Sequence, residues 1–153
     1  MIGPATYNAE LEWANQVVLL AKANLIRGKK IAAGTLYNSV SYEVNRSTGE
    51  IDFYYDDEGN FVESGRRKGA RMPPTNAIAK WAKIKGLPKF RDKKGRYISN
   101  DSRAFLLSRS ISKKGIKPFP FFTDALEEAT QQLYNDLEDA LVKDIEDSIS
   151  LEI

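Results

Sequence analysis

Two adjacent prolines, Pro73 and Pro74, restrict this chain more than any other pair of residues. Proline gives no amide hydrogen to a strand ladder and clashes with the preceding turn inside a helix, yet it can open one. The pair closes the stretch FVESGRRKGARMPP, residues 61–74, and TNAIAKWAKIKG follows directly. The junction is expected to divide a β-rich half from a helical half, and it opens the most basic region of the chain.

Upstream, Leu11, Ala14, Val18, Ala21 and Leu25 recur at three or four residues, which predicts a helix from about Asn8 to Ile26. Asn8 is its expected cap and Gly28 its expected stop. LYNSVSYEV then alternates with period two, Glu50 to Tyr55 is rich in Ile, Phe and Tyr, and Asn60 to Ser64 reads as a short third strand. With NRSTG and DDEGN as turns, the three are expected to form an antiparallel meander.

Downstream, Thr75 to Lys85 has a helical period, capped by Thr75 or Asn76 and ended by Gly86 and Pro88. LPKFRDKKGRYISN lacks that period and reads as a surface loop or hairpin around Lys94 and Gly95. Asn100 or Asp101 caps a helix to about Ser112. Thr123 or Asp124 caps the longest one, an acidic helix over about 123–149 with the stripe Leu126, Ala129, Leu133, Leu137, Leu141 and Ile145. Trp81, Leu107, Leu133 and Leu137 are expected in the core. The fold class is thus α+β, one domain over 1–153: a small antiparallel meander packed on an N-terminal helix, two short middle helices and a long C-terminal helix.

Composition narrows the chemistry. The 153 residues include no cysteine and no histidine, which removes disulfides, Cys/His metal sites and any Ser-His or Cys-His pair. No Gly-rich phosphate loop with its Lys-Ser/Thr is present. Asp52, Asp56, Asp57 and Glu63 are the carboxylates a metal-dependent nuclease would need, but their positions suit hairpin turns and exposed strand faces. Gly59 in DDEG would place Tyr54 at the first ligand position of an EF-hand loop, so calcium is rejected. No catalytic, cofactor-binding or metal residue is assigned. No run approaches a membrane span, and the N-terminus lacks the pattern of a signal peptide, so a soluble, non-secreted protein is expected.

The net charge of +2 conceals a segregation. Residues 1–63 carry five basic and nine acidic side chains, residues 64–117 seventeen basic ones against Asp92 and Asp101, and residues 118–153 Lys143 against ten acidic ones. Such a distribution has three readings: nucleic-acid contact, intramolecular pairing, or head-to-tail contact between copies.

The order of short motifs carries a resemblance. Gly34-Thr35-Leu36 precedes Asn38-Ser39, and Phe61-Val62-Glu63-Ser64-Gly65-Arg66-Arg67 is followed by Met72-Pro73-Pro74. Ala104-Phe105-Leu106-Leu107-Ser108-Arg109-Ser110-Ile111 and Lys114-Gly115 come next, then Pro118-Phe119-Pro120-Phe121-Phe122 before the terminal helix. Over about Ala33 to Ala125 this order resembles the tail-completion, or head–tail joining, family of tailed bacteriophages, also known as minor tail components of the neck. The resemblance implies an α+β virion structural protein without catalysis or cofactor. It implies a homo-oligomeric ring, a hexamer or dodecamer, bound to adjacent neck and tail proteins such as a connector, a stopper or the tail tube. Localisation would be the virion neck or tail, with the host cytoplasm during assembly. Ser64 departs from the family, which often has a bulky aromatic there, and so does the basic loop Lys89 to Tyr97, which is longer than the family pattern implies. On this reading Arg66, Arg67, Lys68, Arg71, Lys93, Lys94 and Arg96 are the candidate interface or DNA-channel residues, with nonspecific contact to DNA in the channel. The alternative is a sequence-nonspecific nucleic-acid-binding protein that uses segment 64–117, with Phe90, Tyr97 and Trp81 interleaved among the cations.

Overall fold

A computed structural model describes residues 3–31 and 33–151. The elements in order are α1 (Pro4–Arg27), α2 (Thr35–Ser39), β1 (Ser41–Asn45), β2 (Glu50–Tyr54), α3 (Glu58–Ser64), α4 (Thr75–Ile84), α5 (Asn100–Lys114) and α6 (Phe121–Leu151). The class is α+β, with long helices at both ends of the sequence and a two-stranded antiparallel sheet.

The antiparallel pair α1 and α6 forms the spine. Three hydrogen bonds fix its register: Asn24 Nδ2 to the Phe121 carbonyl at 3.0 Å, Trp13 Nε1 to Thr130 Oγ1 at 3.3 Å, and Thr6 N to Asp144 Oδ2 at 2.9 Å. Small buried residues line the contact, Ala14 and Ala21 on α1 and Ala125, Ala129 and Ala140 on α6, and they let the two backbones approach closely. Val18, Leu25, Leu36, Val40 and Phe121 complete the core where the spine meets α2 and the sheet. The hairpin lays Tyr42 opposite Phe53 and Val44 opposite Ile51, half-buried on one face. Phe53 then meets Trp13 and Phe122 edge-on, at centroid distances of 5.6 and 5.4 Å.

Several sequence-based expectations need correction. Residues 36–39 are helical, not the start of a strand. Leu36 and Val40 are the buried pair, and a spacing of four satisfies a helical stripe and a strand face equally. Ser39 reinforces the turn, donating to the Leu36 carbonyl at 2.8 Å and accepting from Asp56 N at 2.9 Å. The third strand is the helix α3, so the meander is a hairpin only. Asp57 and Glu58 suit a helix start, and Phe61 and Val62 fall one outside and one inside, as either period allows. Helix α1 begins at Pro4 rather than at Asn8, using proline's fit to a first helical position. Ser99, one residue before the expected caps, accepts from Ser102 N at 3.1 Å to start α5.

On α6 the stripe Leu126, Ala129, Leu133, Leu137 is turned inward, but Leu141 and Ile145 are not. Ala140 and Asp144 take the contact face in their place. Steps of four overshoot a 3.6-residue turn by about 40°, and one step of three, from 137 to 140, restores the seam. Leu107, Leu133 and Leu137 are half-buried. Trp81 is exposed at 38%, because Ala82 holds the buried position of α4.

Candidate functional site

Residues 66–116 form a separate excursion, and almost all of the positive segment lies within it. Its two ends are tied by a reciprocal backbone pair, Arg66 N to Ile116 O and Ile116 N to Arg66 O, each 2.9 Å. Glycines flank this stem. A Cβ at Gly65 would lie 2.4 Å from the Ile116 carbonyl oxygen, and one at Gly115 would lie 2.5 Å from that of Arg66. Both glycines have left-handed φ, 68° and 73°, so side chains are refused there on conformation as well as on space.

Inside the lobe α4 and α5 pack together, burying Ala82, Ala104 and Ser108. Buried Arg103 donates to the carbonyls of Leu87 and Pro88, at 3.0 and 3.3 Å, and so fixes the chain leaving α4. Lys85 Nζ reaches back to the carbonyls of Lys29 and Ile31, at 3.2 and 2.7 Å, and pins the lobe to the exit of α1.

The seven candidate cations separate into two groups. Arg66, Arg67, Lys68 and Arg71 lie on the loop that leaves the stem, held over α5 by Gly69 N to Ser112 O at 2.7 Å and Ser112 Oγ to Ala70 O at 2.5 Å. Arg66 is half-buried, donating through Nη2 to the Arg71 carbonyl with its guanidinium over the Phe61 ring at 5.8 Å, while its buried Nε has no hydrogen-bond partner among the described residues. Arg67, Lys68 and Arg71 are exposed. Lys93, Lys94 and Arg96 sit at the tip of a hairpin closed by the Arg91–Tyr97 bridge. Asp92 organises that tip, accepting from Lys94 N at 2.8 Å, Arg96 N at 2.9 Å and Arg96 Nε at 3.0 Å. These bonds, the Arg96 amide foremost, hold the Asp92 carboxyl below its ordinary pKa. Arg91 covers one face of Tyr97, 4.2 Å from the ring centroid.

Among the described residues the one ion pair is Arg96–Asp92 at 3.0 Å, internal to the lobe. The positive lobe and the acidic face of α6 therefore make no salt bridge with each other there. The carboxylates that do find partners serve the fold. Glu63 accepts from Phe122 N at 3.0 Å, from Thr123 N at 2.9 Å and from the Thr123 hydroxyl, and so caps α6. Asp144 accepts from Ala5 N, Thr6 N and the Thr6 hydroxyl, at 2.9, 2.9 and 2.6 Å, and so caps α1. The Thr6 hydroxyl is the main cause of its lowered pKa. Sequence reasoning missed both roles: the partners lie far apart along the chain, and no local spacing signals them. Among the described residues no group of three or more carboxylates is placed to hold a metal ion, and none of the described helices is long and apolar enough to cross a membrane. No protein-family model, curated protein or solved structure matches the chain.

Proposed function

We propose that this chain is a non-catalytic assembly protein whose copies join head to tail into a ring, in the manner of the tail-completion proteins its motifs resemble. The observation that carries this reading is the unpaired charge: a stem-tied lobe rich in cations and an acidic helix, on one small chain, without a salt bridge between them among the described residues. Pairing within the chain is the reading of the charge segregation that this geometry disfavours, and contact between copies needs two such complementary and different patches. The setting proposed is the neck or tail of a phage particle, between neighbouring virion proteins, with exposed Arg67, Lys68 and Arg71 at a docking loop. Quantitative mass spectrometry of the particle fraction, scaled to the major coat protein, tests this. A small fixed copy number per particle is expected, and absence from particles overturns the reading.

A second reading, nonspecific nucleic-acid binding, draws on the ordered hairpin tip with Lys93, Lys94 and Arg96 and on the exposure of Trp81 and Tyr97. It requires micromolar affinity with a steep salt slope, flattened by charge reversal at those three cations. Salt-independent or absent binding removes it.

A further inference from the structure

The second half of α6 has an apolar face that the spine does not use. Leu141, Val142, Ile145 and Ile149 are each more than half exposed, at 51–57%. At 100° per residue these four positions fall within about 100° of arc, so they form a stripe beside the seam and not scattered contacts. Carboxylates flank the stripe: Glu138 in line with it, Asp139 and Glu146 along its edge, all exposed.

The outer face of α5 has the same spacing. Phe105, Leu106, Arg109 and Lys113 repeat the steps of one, three and four residues that separate the four stripe positions. Phe105 and Leu106 are nearly half exposed, Arg109 and Lys113 are exposed, and among the described residues neither cation has an ion-pair partner. One face is apolar with acidic flanks, the other apolar with basic continuations.

These faces cannot meet within one chain. Helix α5 ends at the stem, close to the start of α6, where Phe119 N bonds to the Val62 carbonyl at 2.8 Å. Phe105 lies about 15 Å from that stem along α5, whereas Leu141 lies about 30 Å along α6. Folding α5 down the side of α6 would still leave its apolar pair about 15 Å short.

We infer that the outer face of α5 in one copy docks on the α6 stripe Leu141–Ile149 of the next, Phe105 and Leu106 against the aliphatic row and Arg109 and Lys113 against its carboxylates. This rests on the assembly reading and deepens it by naming the two surfaces. Because they differ, the contact is heterologous, and each copy keeps one free face of each kind until a ring closes. Apolar burial supplies the attraction, and the charges set partner and direction.

Sedimentation velocity over a wide concentration range tests it, on the wild type, on Phe105→Asp with Leu106→Asp, on Ile145→Asp with Ile149→Asp, and on an equimolar mixture of the two variants. The substituted positions are exposed, so both variants should keep the wild-type circular dichroism. Should either lose it, Arg109→Glu with Lys113→Glu is the replacement for the α5 face and Leu141→Ser with Ile145→Ser for the α6 face. The wild type is expected to assemble beyond a dimer, and each variant alone to require more than tenfold higher concentration. The mixture is expected to form a dimer and nothing larger, since only one intact mating pair remains. Variants that assemble like the wild type overturn the assignment of faces while self-assembly stands. A mixture without dimer shows that the faces are not mates. A wild type that stays monomeric overturns this inference, while the copy number in particles judges the assembly role separately.

Discussion

Removing the Glu63 carboxylate should weaken the joint between the N-terminal half and α6 by an amount the geometry bounds. The carboxylate satisfies two α6 amides and the Thr123 hydroxyl from a residue about 60 positions away in sequence. Loss of an N-cap acceptor costs about 1–2 kcal/mol, and loss of its charge at the positive end of a helix costs about 0.3–1 kcal/mol more. The site is half-buried and partly open, so water recovers some of that. Glu63→Ala should therefore lose about 2 kcal/mol. For a chain of this size that is a drop in Tm of about 4–8 °C. Glu63→Gln keeps one acceptor oxygen but no charge and should lose about half as much.

Urea unfolding followed at 222 nm, with the thermal midpoint alongside, measures both. A Glu63→Ala variant within about 0.5 kcal/mol of wild type would refute the capping role, since surface changes without a partner fall in that range. Glutamine as costly as alanine would refute the argument differently: the charge alone would matter, and the bonds to Phe122 N and Thr123 N would contribute nothing.

Phe121→Ala should cost about 3–5 kcal/mol, since that ring is fully buried and packs edge-on to Tyr55 at 5.5 Å; a loss below 1 kcal/mol in the same urea assay would move the core elsewhere. Gly115→Ala should open the stem, because the added carbon meets the Arg66 carbonyl. Hydrogen exchange should then show the Arg66 and Ile116 amides losing protection ahead of the spine, and unchanged protection would contradict the stem. Asp144→Asn tests the other cap through pH. A carboxylate whose folded-state pKa is lowered stabilises the fold in full above its ordinary range, about 4, and loses that contribution as pH falls through the lower folded value. The gap in stability between wild type and Asp144→Asn should be widest near neutrality and close on acidification, and a gap independent of pH would exclude the charge as its cause.

The helices were legible where one face is apolar over many turns: α1, α4, α5 and α6 all appear in the sequence within a few residues of their ends. What the sequence concealed shares a cause. Leu36 and Val40 are four apart, a spacing that fits both periods, and the choice between them was made by Ser39 and by contact with the spine. Residues 60–64 are too short for periodicity to decide, and the segment became a helix that delivers Glu63 to a partner about 60 residues onward. In sequence Asp144 is one more carboxylate on an acidic helix, and the α1 amides it caps lie about 140 positions away. The candidate cations show the same limit. Sequence grouped Arg66 with Arg67 and Lys68, but the stem holds Arg66 against Phe61 and leaves its neighbours exposed. Charge segregation was visible from composition; whether the opposite charges meet was not, because that depends on the stem holding the lobe near one end of α6. An apolar stripe at the far end of that helix, continued at fours past the point where the seam steps by three, reads from sequence as core. The structure instead leaves Leu141, Val142, Ile145 and Ile149 more than half exposed, because the seam has turned away from them by one step of three.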